Sequence, residues 1–292
     1  MKFVALFLTI FVAFATAEID NQVDWSNVSP IFQLIKQRLD ERKNEPLQPP
    51  NRRIVNGQEA EPHQFPYQIA LLIQSPTGTG LCGGSVISAT AALTAAHCTS
   101  TGVTGYLLIA GAVNRVQIEP QQQRRQVPSS AFVPHPQYGP LRLVNDIAVI
   151  RVAEAFTLNN VVQAIALASN PNELHVDAVV TASGFGRYSD SHSRTSEVVL
   201  FTRKTVISNA QCSQSFPLLV VDSTICAVGT AGINNAVCNG DSGGPLTIIR
   251  NNESYQVGVV SFGSPQGCET GMPDGYARVS HFFTWISQTA GI

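Results

Sequence analysis

Asn239-Gly240-Asp241-Ser242-Gly243-Gly244-Pro245-Leu246 decides the reading of this chain of 292 residues. A single serine stands among glycines, with an acid directly before it. A serine hydroxyl is a poor nucleophile at neutral pH, so it needs a base and an anion-stabilising pocket. Glycines beside it let backbone N–H groups approach a reacting group with no side chain in the way. The stretch reads as a loop that presents Ser242 as a nucleophile. Such a loop needs a base, and a group to orient it, from elsewhere in the chain.

Two segments can supply them. Leu93-Thr94-Ala95-Ala96-His97-Cys98 offers an imidazole between small residues and a cysteine. His63, His135, His175, His192 and His281 have no such setting and read as ordinary surface or core residues. In Asn145-Asp146-Ile147-Ala148, the acid heads the apolar run Ile147–Val152. A carboxylate there needs a partner, either a strand-end cation or a catalytic one.

Composition narrows the class. Charged residues make up 13%, hydrophobic residues 44%, and the net charge is −2. This balance argues against a nucleic-acid partner. The supply of Val, Ile, Leu and Phe argues against disorder. Met1-Lys2, the apolar run Phe3–Phe14 and Ala15-Thr16-Ala17 read as a secretory signal peptide over 1–17. The run is too short to span a bilayer. The chain is therefore expected to be secreted and extracellular, with no membrane partner.

The six cysteines Cys82, Cys98, Cys212, Cys226, Cys238 and Cys268 suit an exported, disulfide-bonded chain. Six cysteines allow 15 connectivities, which spacing alone leaves open. No CxxC pair or HxxxH cluster occurs. No metal site and no cofactor are expected.

Residues 18–53 differ in character from the rest of the chain. They hold six basic and six acidic residues and no glycine or cysteine. Ile31, Leu34, Ile35, Arg38 and Leu39 fall at helical spacing, and Pro46, Pro49 and Pro50 mark an extended stretch. Arg52-Arg53 then precedes Ile54-Val55-Asn56-Gly57. The segment reads as a propeptide cut after Arg53, with an unprocessed linker as the alternative. Asn27 and Asn252 head glycosylation sequons.

The remainder reads as all-β. Gln68–Ile73, Leu107–Ile109, Ala148–Val152, Val179–Ser183, Val198–Val206 and Val257–Phe262 are strand-like runs punctuated by Gly and Pro. His281–Ala290 suits a C-terminal helix. Gln121–Arg125 reads as an exposed, cleavable surface loop.

From Ile54 onward the chain resembles the chymotrypsin/trypsin family of serine endopeptidases. The likeness rests on Ile54-Val55-Asn56-Gly57, the His97 segment, the Asp146 segment and the Ser242 loop, in that order. The resemblance implies a peptidase domain over 54–292. It would comprise two six-stranded antiparallel barrels, roughly 54–165 and 166–280, then the helix 281–290. His97 would act as general base, Asp146 would orient it, and Ser242 would attack the scissile carbonyl. The N–H groups of Gly240 and Ser242 would form the oxyanion hole. Ser261 would hydrogen-bond Asp146. Cleavage would free the Ile54 ammonium to pair with Asp241.

The resemblance also implies the disulfides Cys82–Cys98, Cys212–Cys226 and Cys238–Cys268. Ala236 would form the base of the primary pocket, with Ser261, Phe262 and Gly263 along its mouth. Asp274 would lie on its wall, where a carboxylate can accept a basic substrate side chain; the alternative is that it faces away or is satisfied by local backbone N–H groups. A small base with a wall aspartate resembles the broad-specificity collagenolytic serine proteases of arthropods, the brachyurins, so the resemblance implies a broad or chymotrypsin-like primary specificity, with collagen as a candidate substrate. The loop Gly111–Val127 carries one acid, Glu119, so the family's two-glutamate calcium loop is absent. Expected partners are protein and peptide substrates, an activating protease and protein protease inhibitors, met by a monomer. The competing function is an inactive homologue that binds or regulates.

Overall fold

The structure is a computed structural model that describes residues 57–99, 102–230 and 235–292. The expected signal peptide, the propeptide, Asn27, Arg53 and Ile54 lie outside the described residues. In chain order the first strands are β1 (Gln58–Glu59), β2 (Gln68–Ser75), β3 (Gly78–Ser88), β4 (Ala91–Thr94), β5 (Gly105–Ala110), β6 (Gln123–Pro128), β7 (Phe132–Pro134) and β8 (Ala148–Arg151). They are followed by β9 (Ala166–Leu167), β10 (Val179–Gly184), β11 (Leu200–Ile207), β12 (Thr224–Gly229), β13 (Pro245–Arg250), β14 (Glu253–Phe262) and β15 (Asp274–Arg278). Among the described residues two α-helices, α1 (Asn209–Ser215) and α2 (Val279–Ala290), complete the fold.

The strands form two antiparallel sheets, as expected of an all-β chymotrypsin-like fold. The first runs β6-β5-β2-β3-β4-β8-β7. In the second, β11-β10-β13-β14-β15-β12 closes into a six-stranded barrel because β11 also pairs β12. Two short strands decorate it. β1 pairs β11 although the two lie far apart in sequence, and β9 runs parallel to β14.

Alternation explains the sheets. Along β11, Leu200, Thr202, Lys204 and Val206 are buried while their neighbours are not. This is the period-two pattern of a strand with one face on a core. The first core gathers Ile69, Leu71, Val86, Leu93, Leu108 and Val149. The second gathers Val180, Val206, Ile225, Leu246, Val257 and Tyr276. Helix α2 sends Val279, Phe282 and Ile286 into the first core and ends at Gly291, whose φ of 74° suits a left-handed cap. Buried hydrogen bonds join the two sheets: Ser183 Oγ donates to Gln68 Oε1 at 2.7 Å, and Ser85 Oγ to Gln256 Oε1 at 2.6 Å. Unmet, such polar groups would be costly, so these bonds fix how the sheets meet.

One sequence expectation needs correction. Residues 123–128 are strand β6 and not a loose loop. Arg124 and Arg125 are only partly exposed; Arg124 donates to the carbonyls of Arg115 and Gln117, and Arg125 to those of Glu154 and Ala155. Polar residues suit an edge strand because they discourage further pairing, and here they masked it. A second point is α1, a helix of seven residues that the strand pattern does not announce. Ser208 and Gln211 form a reciprocal capping box that starts it, and Cys212 anchors its buried face.

Candidate active site

The site is built where the first sheet meets the Ser242 loop. His97 lies in a single turn, Ala96–Cys98, directly after β4. Asp146 lies just before β8, the strand that pairs β4. Strand pairing therefore brings the two together. His97 Nδ1 lies 2.7 Å from Asp146 Oδ2, and the His97 backbone N–H donates to Asp146 Oδ1 at 2.8 Å. Ser261 Oγ on β14 donates to Asp146 Oδ2 at 2.5 Å. Asp146 is 2% exposed. A buried carboxylate with these donors holds the imidazole in one orientation and favours a proton on Nδ1, leaving Nε2 as the basic nitrogen.

The Ser242 loop packs on β3 and on the turn that carries His97. The Ser242 carbonyl accepts from Gly83 N–H at 2.7 Å and lies 3.6 Å from the Cys98 sulfur, next to His97. Gly243 has φ +80°, and a Cβ there would fall on Thr94 Oγ1 and lie 2.7 Å from the Gly83 carbonyl oxygen. Only glycine fits both the backbone angle and the approach. Gly240 has φ +101°. The N–H groups of Asp241, Gly243 and Gly244 donate to the carbonyls of Cys238, Val260 and Asp241. Those of Gly240 and Ser242 have no acceptor among the described residues. Two unengaged N–H groups flanking a serine can receive developing negative charge.

Asp241 is 1% exposed. Its Oδ1 accepts from Gly186 N–H at 2.7 Å and its Oδ2 from Cys238 N–H at 2.9 Å. A Cβ on Gly184 or Gly186 would fall on this carboxyl group, so both glycines make its cavity. Burial pushes its pKa up to about 7, and the Asp274 charge adds to the rise, against the two N–H bonds.

All three disulfides, Cys82–Cys98, Cys212–Cys226 and Cys238–Cys268, are formed. The first braces the His97 turn against β3, the second ties α1 to β12, and the third ties the segment before Ser242 to the stretch before β15. The two clusters of possible metal ligands among the described residues, Cys82/His97/Cys98 and Asp190/Cys238/Cys268, each rely on bonded cysteines. A disulfide sulfur is not the thiolate that a metal takes.

The reading of Asp274 requires correction. It is 2% exposed, and its Oδ2 lies 2.7 Å from Lys204 Nζ and accepts from Val237 N–H at 3.0 Å. The carboxylate is therefore counter-charged through Oδ2 from inside the barrel, so a substrate cation would have to share it with Lys204. It does stand beside the expected pocket residues: Oδ1 is 3.4 Å from where a Gly263 Cβ would be, and Val237 follows Ala236. Phe262 lies across Gly275, whose Cβ would strike the ring, and meets Phe216 edge-on at 5.2 Å. Lys204 is a residue beside the site that no motif in the sequence marks. Its signal was a lysine at an inward-facing position of a strand.

Family comparison agrees with the geometry. The trypsin family model matches residues 54–286. The chain belongs to the trypsin family of serine proteases. It is 39% identical to brachyurin of Leptuca pugilator, over 82% of this chain and 99% of that protein. It is 36% identical to a collagenase of Hypoderma lineatum, over 82% and 88%. It is 34% identical to chymotrypsin-C of Rattus norvegicus, over 83% and 91%. Among solved structures, HL collagenase superposes with a TM-score of 0.72 at 32% identity, covering 82% of this chain and 99% of that one. As a trypsin-family member with such relatives, the chain is a serine endopeptidase, a hydrolase. Three disulfides fit an extracellular protein, and among the described residues no helix is long and apolar enough to cross a membrane.

Proposed function

We propose that this protease is secreted as a precursor, loses residues 18–53 by cleavage after Arg53, and hydrolyses peptide bonds through an acyl-enzyme on Ser242. The carrying observation is the 2.7 Å contact between His97 Nδ1 and the buried Asp146, with the Ser242 carbonyl 3.6 Å from the Cys98 sulfur on the same turn. Oriented in this way, His97 Nε2 takes the Ser242 proton as the hydroxyl attacks the carbonyl carbon. The carbonyl becomes an oxyanion facing the Gly240 and Ser242 N–H groups. The His97 proton then passes to the departing amine, and water repeats the cycle to release the acid.

Asp241 supplies the activation logic. It is a buried carboxyl group with N–H donors but no cation among the described residues. The free α-ammonium of Ile54 is the partner that a buried carboxylate requires. Pairing would raise the α-amino pKa above its free value of about 7.7–8.0, so activity should fade only at alkaline pH.

The substrate preference follows from the pocket. Ala236 leaves the base apolar, Gly263 leaves the mouth open, and Asp274 is neutralised by Lys204. The substrate residue on the acyl side of the scissile bond is therefore large and uncharged, a chymotrypsin-like preference. Proteins and peptides are the partners, together with an activating protease and protein inhibitors, and the enzyme works as a monomer without nucleic acid or membrane. The name of the collagenase relative makes collagen a substrate to test. An inactive homologue is disfavoured because His97, Asp146, Ser242 and Gly240 are all present.

The test is hydrolysis of a peptide library by the chain cleaved after Arg53. His97→Ala and Ser242→Ala should each lower turnover by roughly 10⁴- to 10⁶-fold, leaving the residual rate of an intact oxyanion pocket. Equal activity in the Ser242→Ala protein would end the proposal.

A further inference from the structure

Lys204 is the only lysine after Arg53. It is fully buried, at 0% exposure, on the inner face of β11. Its ammonium makes two contacts, each of 2.7 Å: one with Asp274 Oδ2 and one with the carbonyl of Asn235. Asn235 directly precedes Ala236, and Val237, directly after it, donates to the same Asp274 oxygen. Lys204 thus holds the residue before Ala236 directly and the residue after it through Asp274.

The reach has a structural basis. On β12, Gly229 stands opposite Lys204 and Ala227 stands opposite Asp274. Small residues there let the lysine stem cross the intervening strand. A buried pair of this kind is weak evidence for stability, because well-packed apolar residues of similar volume often do as well or better. A role beyond stability is therefore worth seeking, and its place suggests one. Asp274 Oδ1 is turned toward Gly263, the expected mouth of the pocket, and accepts no hydrogen bond among the described residues. The carboxylate is close enough to bias what enters.

Resting on the pocket assignment made above, we propose that Lys204 sets the primary specificity of this protease. Its ammonium cancels the Asp274 charge behind Ala236, so the pocket refuses basic side chains and takes large uncharged ones. An arginine or lysine side chain entering the pocket would lose its hydration and meet a carboxylate already matched by a cation. Removing the ammonium frees that carboxylate for the substrate. Removing the carboxylate instead leaves a buried cation that favours an acidic side chain.

The test compares the cleaved wild type with Lys204→Met, Asp274→Asn and the double variant Lys204→Met/Asp274→Asn. Matched peptide substrates carry Phe, Arg or Glu on the acyl side of the scissile bond. In parallel, calorimetry measures binding of benzamidine, an aromatic amidine. For Lys204→Met, the Arg-to-Phe ratio of kcat/KM and the benzamidine affinity should each rise roughly 10- to 100-fold, the scale of one charge contact at a partly screened site. Both gains should vanish in the double variant. In Asp274→Asn the Glu-to-Phe ratio should rise and the Arg-to-Phe ratio should fall.

A folded Lys204→Met protein with unchanged ratio and unchanged benzamidine affinity overturns the proposal. If that variant does not fold, Asp274→Asn decides: unchanged Glu-to-Phe and Arg-to-Phe ratios overturn it. Benzamidine binding separates the two claims. Wild type that hydrolyses nothing while Lys204→Met gains amidine affinity would sink the proteolytic reading and leave the specificity role standing. Brisk Phe cleavage with no response to either variant would do the reverse.

Discussion

Asp241 offers the sharpest quantitative prediction. In the uncleaved chain its carboxyl group is buried, and its pKa is pushed up to about 7 from the ordinary 3.8. An acid whose folded pKa is raised keeps its proton in the native state while the unfolded chain has already lost it. Between those two values the native state binds more protons, so stability falls as pH rises. Across pH 5 to 7 the loss from this one group is about 2 kcal/mol, worked from the two pKa values at ~1.4 kcal/mol per unit. The perturbation is Asp241→Asn, placed in a Ser242→Ala precursor so that no self-cleavage intervenes. Asparagine cannot accept from both Gly186 and Cys238, so this variant starts less stable. Its stability should nevertheless change less with pH. Urea unfolding at pH 5 and pH 7, with disulfides intact, measures the difference. The parent should lose about 2 kcal/mol more than the Asp241→Asn protein over that interval. An equal pH response in the two proteins would refute the reasoning. After cleavage, pairing with the Ile54 ammonium should abolish this downward slope, and stability should instead be lost at alkaline pH.

Other consequences can be checked alongside. Ser261→Ala removes a hydrogen bond to the Asp146 carboxylate, and bonds to charged groups contribute about 1.5–3 kcal/mol. The variant should stay folded by its Tm and lose roughly 10- to 100-fold in kcat/KM, and unchanged activity would count against Asp146 as the orienting group. Gly243→Ala combines φ +80° with a methyl group on Thr94 Oγ1, so activity should disappear and Tm should fall. Gly78→Ala meets nothing within 4 Å but still strains the backbone at φ +143°, so its Tm should fall with a cost of about 1–3 kcal/mol while activity is kept. Replacing Cys212 and Cys226 together by serine opens a 14-residue separation, and urea unfolding should show a loss of about 3 kcal/mol. Activity should change little, since that bridge braces α1 and not the His97 turn.

The legible parts of the sequence are those where chemistry leaves no freedom. The Ser242 loop was legible because Gly243 admits no side chain and Gly240 sits at positive φ, so their identities are dictated locally. The strands with apolar alternation were legible for the same local reason, although β14 begins at Glu253, before the apolar run at Val257. Strand β6 was hidden because its residues face an edge and their polarity imitates a loop. Helix α1 carried a readable capping box but is only seven residues long, too short for helical spacing to announce it. The Lys204–Asp274 pair was out of reach altogether. Neither residue has a partner near it in sequence, and only the closure of β11 on β12 and of β12 on β15 brings the charges together. Without that pairing, Asp274 looked like a carboxylate available to substrate.

The central claim is that Ser242 carries the acyl group. The direct measurement mixes the chain cleaved after Arg53 with an excess of an activated nitrophenyl ester, quenches in acid within the first turnover, and locates the acyl group by peptide mass mapping. The account predicts a burst of nitrophenol close to one per molecule and an ester on Ser242, with neither in the His97→Ala protein. Steady ester hydrolysis without a burst and with Ser242 unmodified, or an acyl group fixed to another residue, would contradict it.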